Sequence, residues 1–415
     1  MTPAPRADTF AGPARGRPLR IALVIERFAP GTGGVENVAW RVAHELARGG
    51  LDVSVLAREV AAEAAVDAIA ESRPGVLRLR APRAWQPLRV LAFSAAAARA
   101  AREGRFDVVH AFSRTRHQHL YRAGGGSHAD YLEGNHGALG RSLRQLSPRH
   151  RVLLDLERAV FRDPSQRIQC ASHALARRLQ ERHGIAPERL FVLPNAVDAD
   201  RFGSDAALAA GARLRRELDP SARCVFLLPG SGWRRKGLTT LLEALALRPD
   251  PGLRVWVAGR DDPRPWRAAA ARRGDADRVR FLGPRDDMPA VYAAADAVVL
   301  PTRYDPFANV TLEAAAAGRA VVTTAANGAS EWLGNDVLVL RSARDARALA
   351  RAMDALVDPD RRRALGARAR RRAQALDWAS HAGALVEEYE RIVRTRRTRR
   401  TRAPASPPAE AVTAP

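Results

Sequence analysis

Of the chain's 68 Lys and Arg residues, 67 are Arg and one, Lys236, is Lys. A compact ammonium and a planar guanidinium are not interchangeable. A lone lysine therefore marks either a place that needs a point charge or a survivor of chance. Lys236 lies in Gly230-Ser-Gly-Trp-Arg-Arg-Lys-Gly237, a loop expected to lead straight into a helix from near Leu238. Arg234, Arg235 and Lys236 beside a helix N-terminus would suit a diphosphate. The spacing is not that of a P-loop, and the plainer alternative is an exposed basic loop. A second stretch, Tyr304 to Glu313, carries two acids eight positions apart, Asp305 and Glu313. An ionised carboxylate accepts two or more hydrogen bonds, so both acids suit ligand hydroxyls. The alternative is a helix N-terminal acid and a solvent-facing acid. Pro301, Pro306 and Asn309-Val-Thr311 shape the loop between them.

Three weaker signals accompany these. Gly31-Thr-Gly-Gly-Val-Glu36 follows a first strand and opens a first helix, where glycines admit a phosphate or sugar hydroxyl to the backbone. Its spacing is not G-x-G-x-x-G, and the nearest acid, Glu59, comes late, which argues against a dinucleotide cofactor. His110, His117 and His119 cluster near Arg114 and Arg116, where a histidine either touches a sugar or acceptor or is structural. Asp198/Asp200 and Asp275/Asp277 lack a third ligand, so no metal site is expected.

The elements that must position these residues alternate. Apolar runs predict strands at Ile21 to Glu26, Asp52 to Ala57, Val76 to Leu79, Asp107 to Phe112, Leu120 to Ala123, Ile168 to Ala171 and Leu190 to Leu193. Helical spacing fills the gaps, as at Val35 to Arg48, Pro87 to Arg102 and His173 to Arg182. After Asp198 the alternation restarts, with strands at Cys224 to Leu228, Leu253 to Ala258, Val279 to Leu282, Ala297 to Leu300, Ala320 to Thr323 and Val337 to Leu340. Strand–helix alternation implies parallel sheets covered on both faces, and two such units in tandem make a cleft. The stretch from Asp130 to Arg167, with Arg141 and Arg144 among its arginines, fits either an amphipathic helix on a membrane or a helix packed on the sheet.

Composition sets the outer limits. The 415 residues are 46% apolar, enough for two or three domains. Two cysteines, Cys170 and Cys224, make no disulfide framework and point to a reducing compartment. No apolar h-region opens the chain, and no run of about 18 apolar residues predicts a membrane span. The net charge is +23, with seven arginines between Arg391 and Arg402. That balance favours a polyanion. In the absence of a nucleic-acid motif, it favours an anionic membrane surface or a phosphorylated glycolipid. The alternative is a solvated arginine-rich surface.

Taken together, Gly33-Gly34, Leu193-Pro-Asn-Ala-Val-Asp198, Arg235-Lys236-Gly237, Phe281-Leu-Gly283 and Asp305-x7-Glu313 resemble the retaining GT-B glycosyltransferases of family 4, over roughly Leu19 to Leu385. Within that family, Gly-Ser-x-x-x-Arg-Lys-Gly, Ala-Ala-Asp296 and Glu157-Arg-Ala-x-Phe161 are most similar to the lipopolysaccharide-core glucosyltransferases that act on heptose. The resemblance implies an α/β fold of two doubly wound Rossmann-like domains facing each other across a cleft. The corresponding boundaries are a disordered lead-in (1–18), an acceptor-side domain (19–197), a nucleotide-sugar domain (198–378), a helix packing back on the first domain (379–396) and a disordered tail (397–415). It implies transfer of a hexose from a UDP-sugar, with UDP-glucose foremost, with retention and without a divalent metal. The acceptor would be a glycolipid at the cytoplasmic face of the membrane. Capsule, exopolysaccharide or small-molecule acceptors are the alternative, and a polyanion-binding protein with a degenerate site is a remote one.

By the same resemblance, Arg235 and Lys236 hold the diphosphate, and Glu313 accepts from the ribose. Asp305 and the backbone N–H groups of Phe307, Ala308 and Asn309 grip the sugar. Gly33 and Gly34 approach from the opposite domain. Gly283 and Arg285 border the base, and Ser231 joins the donor side. There are departures. Asp305 stands where the family usually has Glu, and Ser231 where many members have Arg. Members also carry a His near the position of Phe112, which leaves His110 and His119 as candidates with an open role.

Overall fold

The structure, a computed structural model, describes residues 17–61, 73–80, 85–135 and 147–402. Most of the expected lead-in, Arg141 and Arg144, and residues 403–415 of the expected tail lie outside the described residues. Seven strands form the first sheet: β1 (Arg20–Phe28), β2 (Asp52–Val60), β3 (Gly75–Arg78), β4 (Val108–Ala111), β5 (Leu120–Arg122), β6 (Arg167–Cys170) and β7 (Leu190–Val192). Their order is β3-β2-β1-β4-β5-β6-β7, and every pair is parallel. The second sheet holds β8 (Cys224–Pro229), β9 (Leu253–Ala258), β10 (Val279–Gly283), β11 (Ala297–Val299), β12 (Ala320–Thr324) and β13 (Leu338–Leu340). It runs β10-β9-β8-β11-β12-β13, again all parallel.

Both sheets are covered on two faces, which is why their strands read as unbroken apolar runs. In β1, Ile21, Leu23 and Ile25 face one core while Ala22 and Val24 face the other. In β8, Val225 and Leu227 alternate with Cys224, Phe226 and Leu228 in the same way. Each sheet reverses its order beside its first strand, between β1 and β4 and between β8 and β11. Ligands of open α/β sheets bind outside the carboxyl ends of strands at such switch points.

Within the stretch from Asp130 to Arg167, the described helix Pro148–Arg162 packs on the sheet. Helix Pro148–Arg162 buries Leu156, Val160 and Phe161, and the last two join the core beneath β4 and β5. That apolar face is therefore spent inside the protein.

The C-terminal helix Trp378–Arg402 lies against the first sheet. Ala382, Leu385, Val386, Tyr389 and Ile392 share one face and join the core with β1 and helix Gly34–Arg48. Arg167 pairs with the buried Glu388, and Arg396 donates to the carbonyl of Asp107 at 2.8 Å. The helix continues to Arg402, past the 396 expected from sequence. Arginine is a good helix former, and Thr395 and Thr398 return their hydroxyls to carbonyls one turn back.

Leu385 is completely buried in this seam. Leu385→Ala should destabilise the protein by about 2–5 kcal/mol through lost burial and the cavity left behind. Urea denaturation measures this, and a loss below about 1 kcal/mol would show that the helix is not integral to the first domain's core.

Candidate functional site

Loops from the carboxyl ends of both sheets enclose a cavity of about 930 Å³. From the first sheet come Pro30–Gly34 after β1 and Arg122–Gly125 at β5; from the second come Gly230 and Ser231 after β8, Pro284–Asp286 after β10 and Tyr304–Asn309 after β11.

Lys236 reaches the cavity from a single helical turn, Trp233–Lys236. Where the sequence predicts a loop, the structure has a helical turn of its own, separated from helix Leu238–Ala246 by Gly237. Gly230, Gly232 and Gly237 all have φ between +82 and +89, the left-handed region where a side chain is strained. At Gly237 a Cβ would also stand 2.1 Å from the carbonyl of Pro301. The Asp261 carboxylate accepts from the N–H groups of Gly232 (2.8 Å) and Trp233 (3.2 Å), and the Trp233 side chain is buried. The Lys236 side chain is thus carried inward, 5% exposed, with Nζ donating to the carbonyl of Pro229 at 2.9 Å. Burial pulls its pKa down to about 8, and the carboxylates of Asp305 and Glu313 partly oppose that.

The two acids are already engaged. Asp305 Oδ2 accepts from Arg235 Nη1 at 2.7 Å, and the same nitrogen donates to the carbonyl of Tyr304 at 2.8 Å. Arg235 and Asp305 were expected to hold different parts of a ligand; the structure makes each the counter-ion of the other. Glu313 Oε2 accepts from the buried hydroxyl of Tyr292 at 2.8 Å, and burial raises the Glu313 pKa. The N–H of Ala308, expected to face a sugar, instead donates to Asn327 Oδ1 at 3.0 Å. Phe307 is buried, and Asn309 opens helix Asn309–Ala316.

Two bridges join cavity loops across the cleft, and beside them Ser172 Oγ donates to the carbonyl of Pro306 at 3.1 Å and the N–H groups of His173 and Ala174 donate to Glu331 at 2.8 and 2.7 Å. Arg260 donates to the carbonyls of Thr32 (2.8 Å) and Gly31 (3.0 Å), while Ser231 Oγ holds the Arg260 N–H at 2.9 Å. Asn309 Nδ2 donates to the carbonyl of Gly34 at 3.4 Å, and Asn195 Nδ2 donates to Asn309 Oδ1 at 2.6 Å. A Cβ at Gly34 would lie 3.5 Å from Asn309 Nδ2, an ordinary van der Waals contact, so this approach does not by itself require glycine.

Of the residues singled out in the sequence, Lys236, Arg235, Asp305, Glu313, Gly33, Gly34, Ser231, Arg285, Phe307, Ala308 and Asn309 line the cavity. Gly283 stands just behind it; its φ of +69 turns the chain into Pro284–Asp286. His110 and His119 are not among the lining residues. His110 is fully buried against the C-terminal helix, its Nδ1 2.8 Å from the Tyr389 hydroxyl, and burial depresses its pKa strongly. His119 Nδ1 accepts from the N–H of Val109 at 2.9 Å, and burial pulls its pKa down to about 3. Both act inside the fold. Sequence reasoning missed Arg122, Asn195 and Arg260. Arg122 precedes the Gly124-Gly125-Gly126 run and Asn195 follows Pro194, so local signals existed for these two, but not for Arg260.

The family model described as "Glycosyltransferase Family 4" matches residues 32–201, and "Glycosyl transferases group 1" matches residues 223–359. A D-inositol 3-phosphate glycosyltransferase of Geodermatophilus obscurus is 30% identical over 91% of this chain and 90% of its own length. The lipopolysaccharide glucosyltransferase WaaG of Escherichia coli K12 is 31% identical over 46% of this chain and 52% of its own. A solved structure of WaaG superimposes with a TM-score of 0.74 at 23% identity, over 89% of this chain and 99% of that one. The structure of Anabaena Alr3699/HepE in complex with UDP and glucose gives 0.69 at 20% identity, over 90% and 99%.

Glu313→Gln removes a charged acceptor but keeps the shape. Affinity for a nucleotide-sugar donor should weaken by about 10-fold or more, as for loss of a charged hydrogen bond, and Tyr292→Phe should weaken it less. Calorimetry reads both; unchanged affinity in Glu313→Gln would remove that residue from the ligand's reach.

Proposed function

The chain belongs to the family 4 glycosyltransferases of the GT-B fold, and from that premise we propose that it transfers a hexose from a UDP-sugar, UDP-glucose foremost, with retention, onto a lipopolysaccharide-core or similar lipid-linked glycan. One observation carries the donor assignment. The Lys236 ammonium is buried at the β8–β11 switch point with a carbonyl, and no carboxylate, as its hydrogen-bond partner among the described residues. A fixed cation in a water-poor site is worth most against charge that grows in the transition state. In this reading Lys236 meets the charge that develops on the diphosphate as the bond from the anomeric carbon to the leaving oxygen breaks. The acceptor hydroxyl attacks from the same face, and the departing phosphate takes its proton. Glu313 accepts from the ribose hydroxyls. Asp305, held by Arg235, faces the sugar, and Gly33 and Gly34 approach from the opposite domain. Lys236 supplies the positive charge in this scheme, so no divalent metal is invoked. Closure of the cleft through Arg260 and Asn309 would exclude water and limit donor hydrolysis.

A second acceptor reading has its own support. The relative that aligns over 91% of this chain is named for a D-inositol 3-phosphate acceptor, so a small phosphorylated polyol stands beside the glycolipid. For a glycolipid, the site of action would be the inner face of the cytoplasmic membrane, with peripheral contact through the arginine-rich end of the C-terminal helix. No described helix is long and apolar enough to cross a membrane.

Incubation with UDP-sugars tests the donor assignment directly. Wild type should release UDP slowly without acceptor, and Lys236→Met should lower kcat by about 100-fold or more. The absence of both UDP binding and UDP release across several donors would end the enzyme reading. pH gives a separate check. The charged form of Lys236 is the useful one, and its pKa in the ligand-free protein is about 8. Accordingly, kcat/KM should be level below that value and fall as pH rises through it. A profile flat to pH about 10 would contradict the assignment.

A further inference from the structure

We infer that Arg122, on the N-terminal wall of the cleft, is an anion subsite that receives a phosphate or carboxylate carried by the acceptor. The term acceptor rests on the glycosyltransferase reading above; the subsite itself rests on the residues that surround Arg122.

Most other cations that line the cavity are paired or solvated, and Arg201 is exposed to solvent over the Phe202 ring. Arg41 pairs with Asp198 at 3.2 Å, Arg235 with Asp305 at 2.7 Å, and Arg285 Nε donates to Asp287 at 2.7 Å. Arg260 is spent on two carbonyls across the cleft. Arg122 differs. It lines the cavity and is 4% exposed, yet no ion pair to a carboxylate is found for it among the described residues. Nη2 donates to Asn195 Oδ1 at 2.6 Å, while Nη1 is buried with no hydrogen-bond partner among the described residues. The titratable groups that bear on Arg122 include Tyr121, His110 and His381; burial raises the Tyr121 pKa and lowers those of the two histidines, so all three are neutral near pH 7 and none supplies a counter-charge. Burial pulls the Arg122 pKa down to about 10, which still leaves it a cation at neutral pH.

A buried cation without an anion is costly, and a polar group without a partner adds to that cost. The surroundings hold the side chain in place despite this. Asn195 fixes one arm of the fork and is itself fixed by Asn309 at 2.6 Å. The Phe112 ring lies 5.6 Å from the guanidinium carbon. Gly124 makes the room: a Cβ there would stand 1.8 Å from Nη1. At Gly125 a Cβ would meet nothing within 4 Å, so the loop is open beside the guanidinium. A planar, pre-oriented guanidinium suits a phosphate or carboxylate oxygen pair. The donor diphosphate has its own cation, Lys236, on the opposite wall. The anion that completes Arg122 is therefore assigned to the other substrate.

Calorimetry on the full chain saturated with UDP tests this, with glucose 6-phosphate, glucuronate and glucose as probes. Wild type should bind one or both anionic sugars and not glucose, and the comparison decides between phosphate and carboxylate. Arg122→Gln should weaken that binding by at least about 10-fold while UDP affinity stays within about twofold. Gly124→Ala, which keeps the charge but drives a methyl group into the guanidinium, should weaken it as well. Thermal melting separates a binding role from a structural one. Without ligand, Arg122→Gln should melt at or above the wild-type temperature, and inorganic phosphate should raise the midpoint of wild type alone. The inference is overturned if wild type binds the anionic sugars no better than glucose, or if phosphate stabilises both proteins equally. It is also overturned if Arg122→Gln weakens UDP as much as the anionic sugars, which would move Arg122 to the donor. Should UDP fail to bind wild type, the donor reading falls, and the same titrations without UDP still decide the subsite.

Discussion

An ammonium group held away from water at the end of β8 constrains much of the second domain. Burial works against the charged form of Lys236, and its pKa falls to about 8 as a result. The carbonyl of Pro229 and the nearby carboxylates of Asp305 and Glu313 hold it short of neutrality. To place that side chain, the backbone passes through three left-handed glycines within eight residues, Gly230 to Gly237. Asp261 caps the turn and Trp233 anchors it in the core. A guanidinium would be too wide to sit where a Cβ at Gly230 would already lie 2.6 Å from Nζ. This supplies a physical reason for one lysine among 67 arginines.

The remaining polar groups of the cleft are largely committed before any ligand arrives. Arg235 aims Asp305, and Tyr292 aims Glu313. Pre-oriented acceptors lose little freedom on binding, which is how a site gains affinity and rate from modest contacts. Closure uses backbone carbonyls on the first domain, Gly31, Thr32 and Gly34, met by Arg260 and Asn309 from the second. The acids on the donor side are satisfied within the protein, whereas Lys236 and Arg122 are cations with capacity to spare. A cleft of that kind fits substrates that bring their own negative charge.

The strands and the parallel order were legible because strands buried on both faces write themselves as apolar runs, as in Cys224–Pro229. The glycine loops and Lys236 were legible for the same reason of local necessity. What failed was direction. His110 and His119 have suitable chemistry and lie near the right strand end, but β4 turns His110 toward Tyr389 of the C-terminal helix, 279 positions away. The Arg235–Asp305 pair joins loops 70 positions apart, so neither residue's spacing could reveal it. Arg260 was hidden by composition, since in an arginine-rich chain one more arginine carries no signal. The helix end at Arg402 was misplaced because a charged run reads equally as a solvated helix or as a tail.

Proton uptake on UDP binding tests the central claim most directly. If Lys236 has a pKa of about 8 in the free protein and takes a diphosphate as its partner, binding must raise that pKa. Calorimetry at pH about 8, in buffers of different ionisation enthalpy, should then show uptake of about half a proton per UDP in wild type and none in Lys236→Met. No uptake in wild type, or equal uptake in the two proteins, would mean that this lysine does not receive the diphosphate.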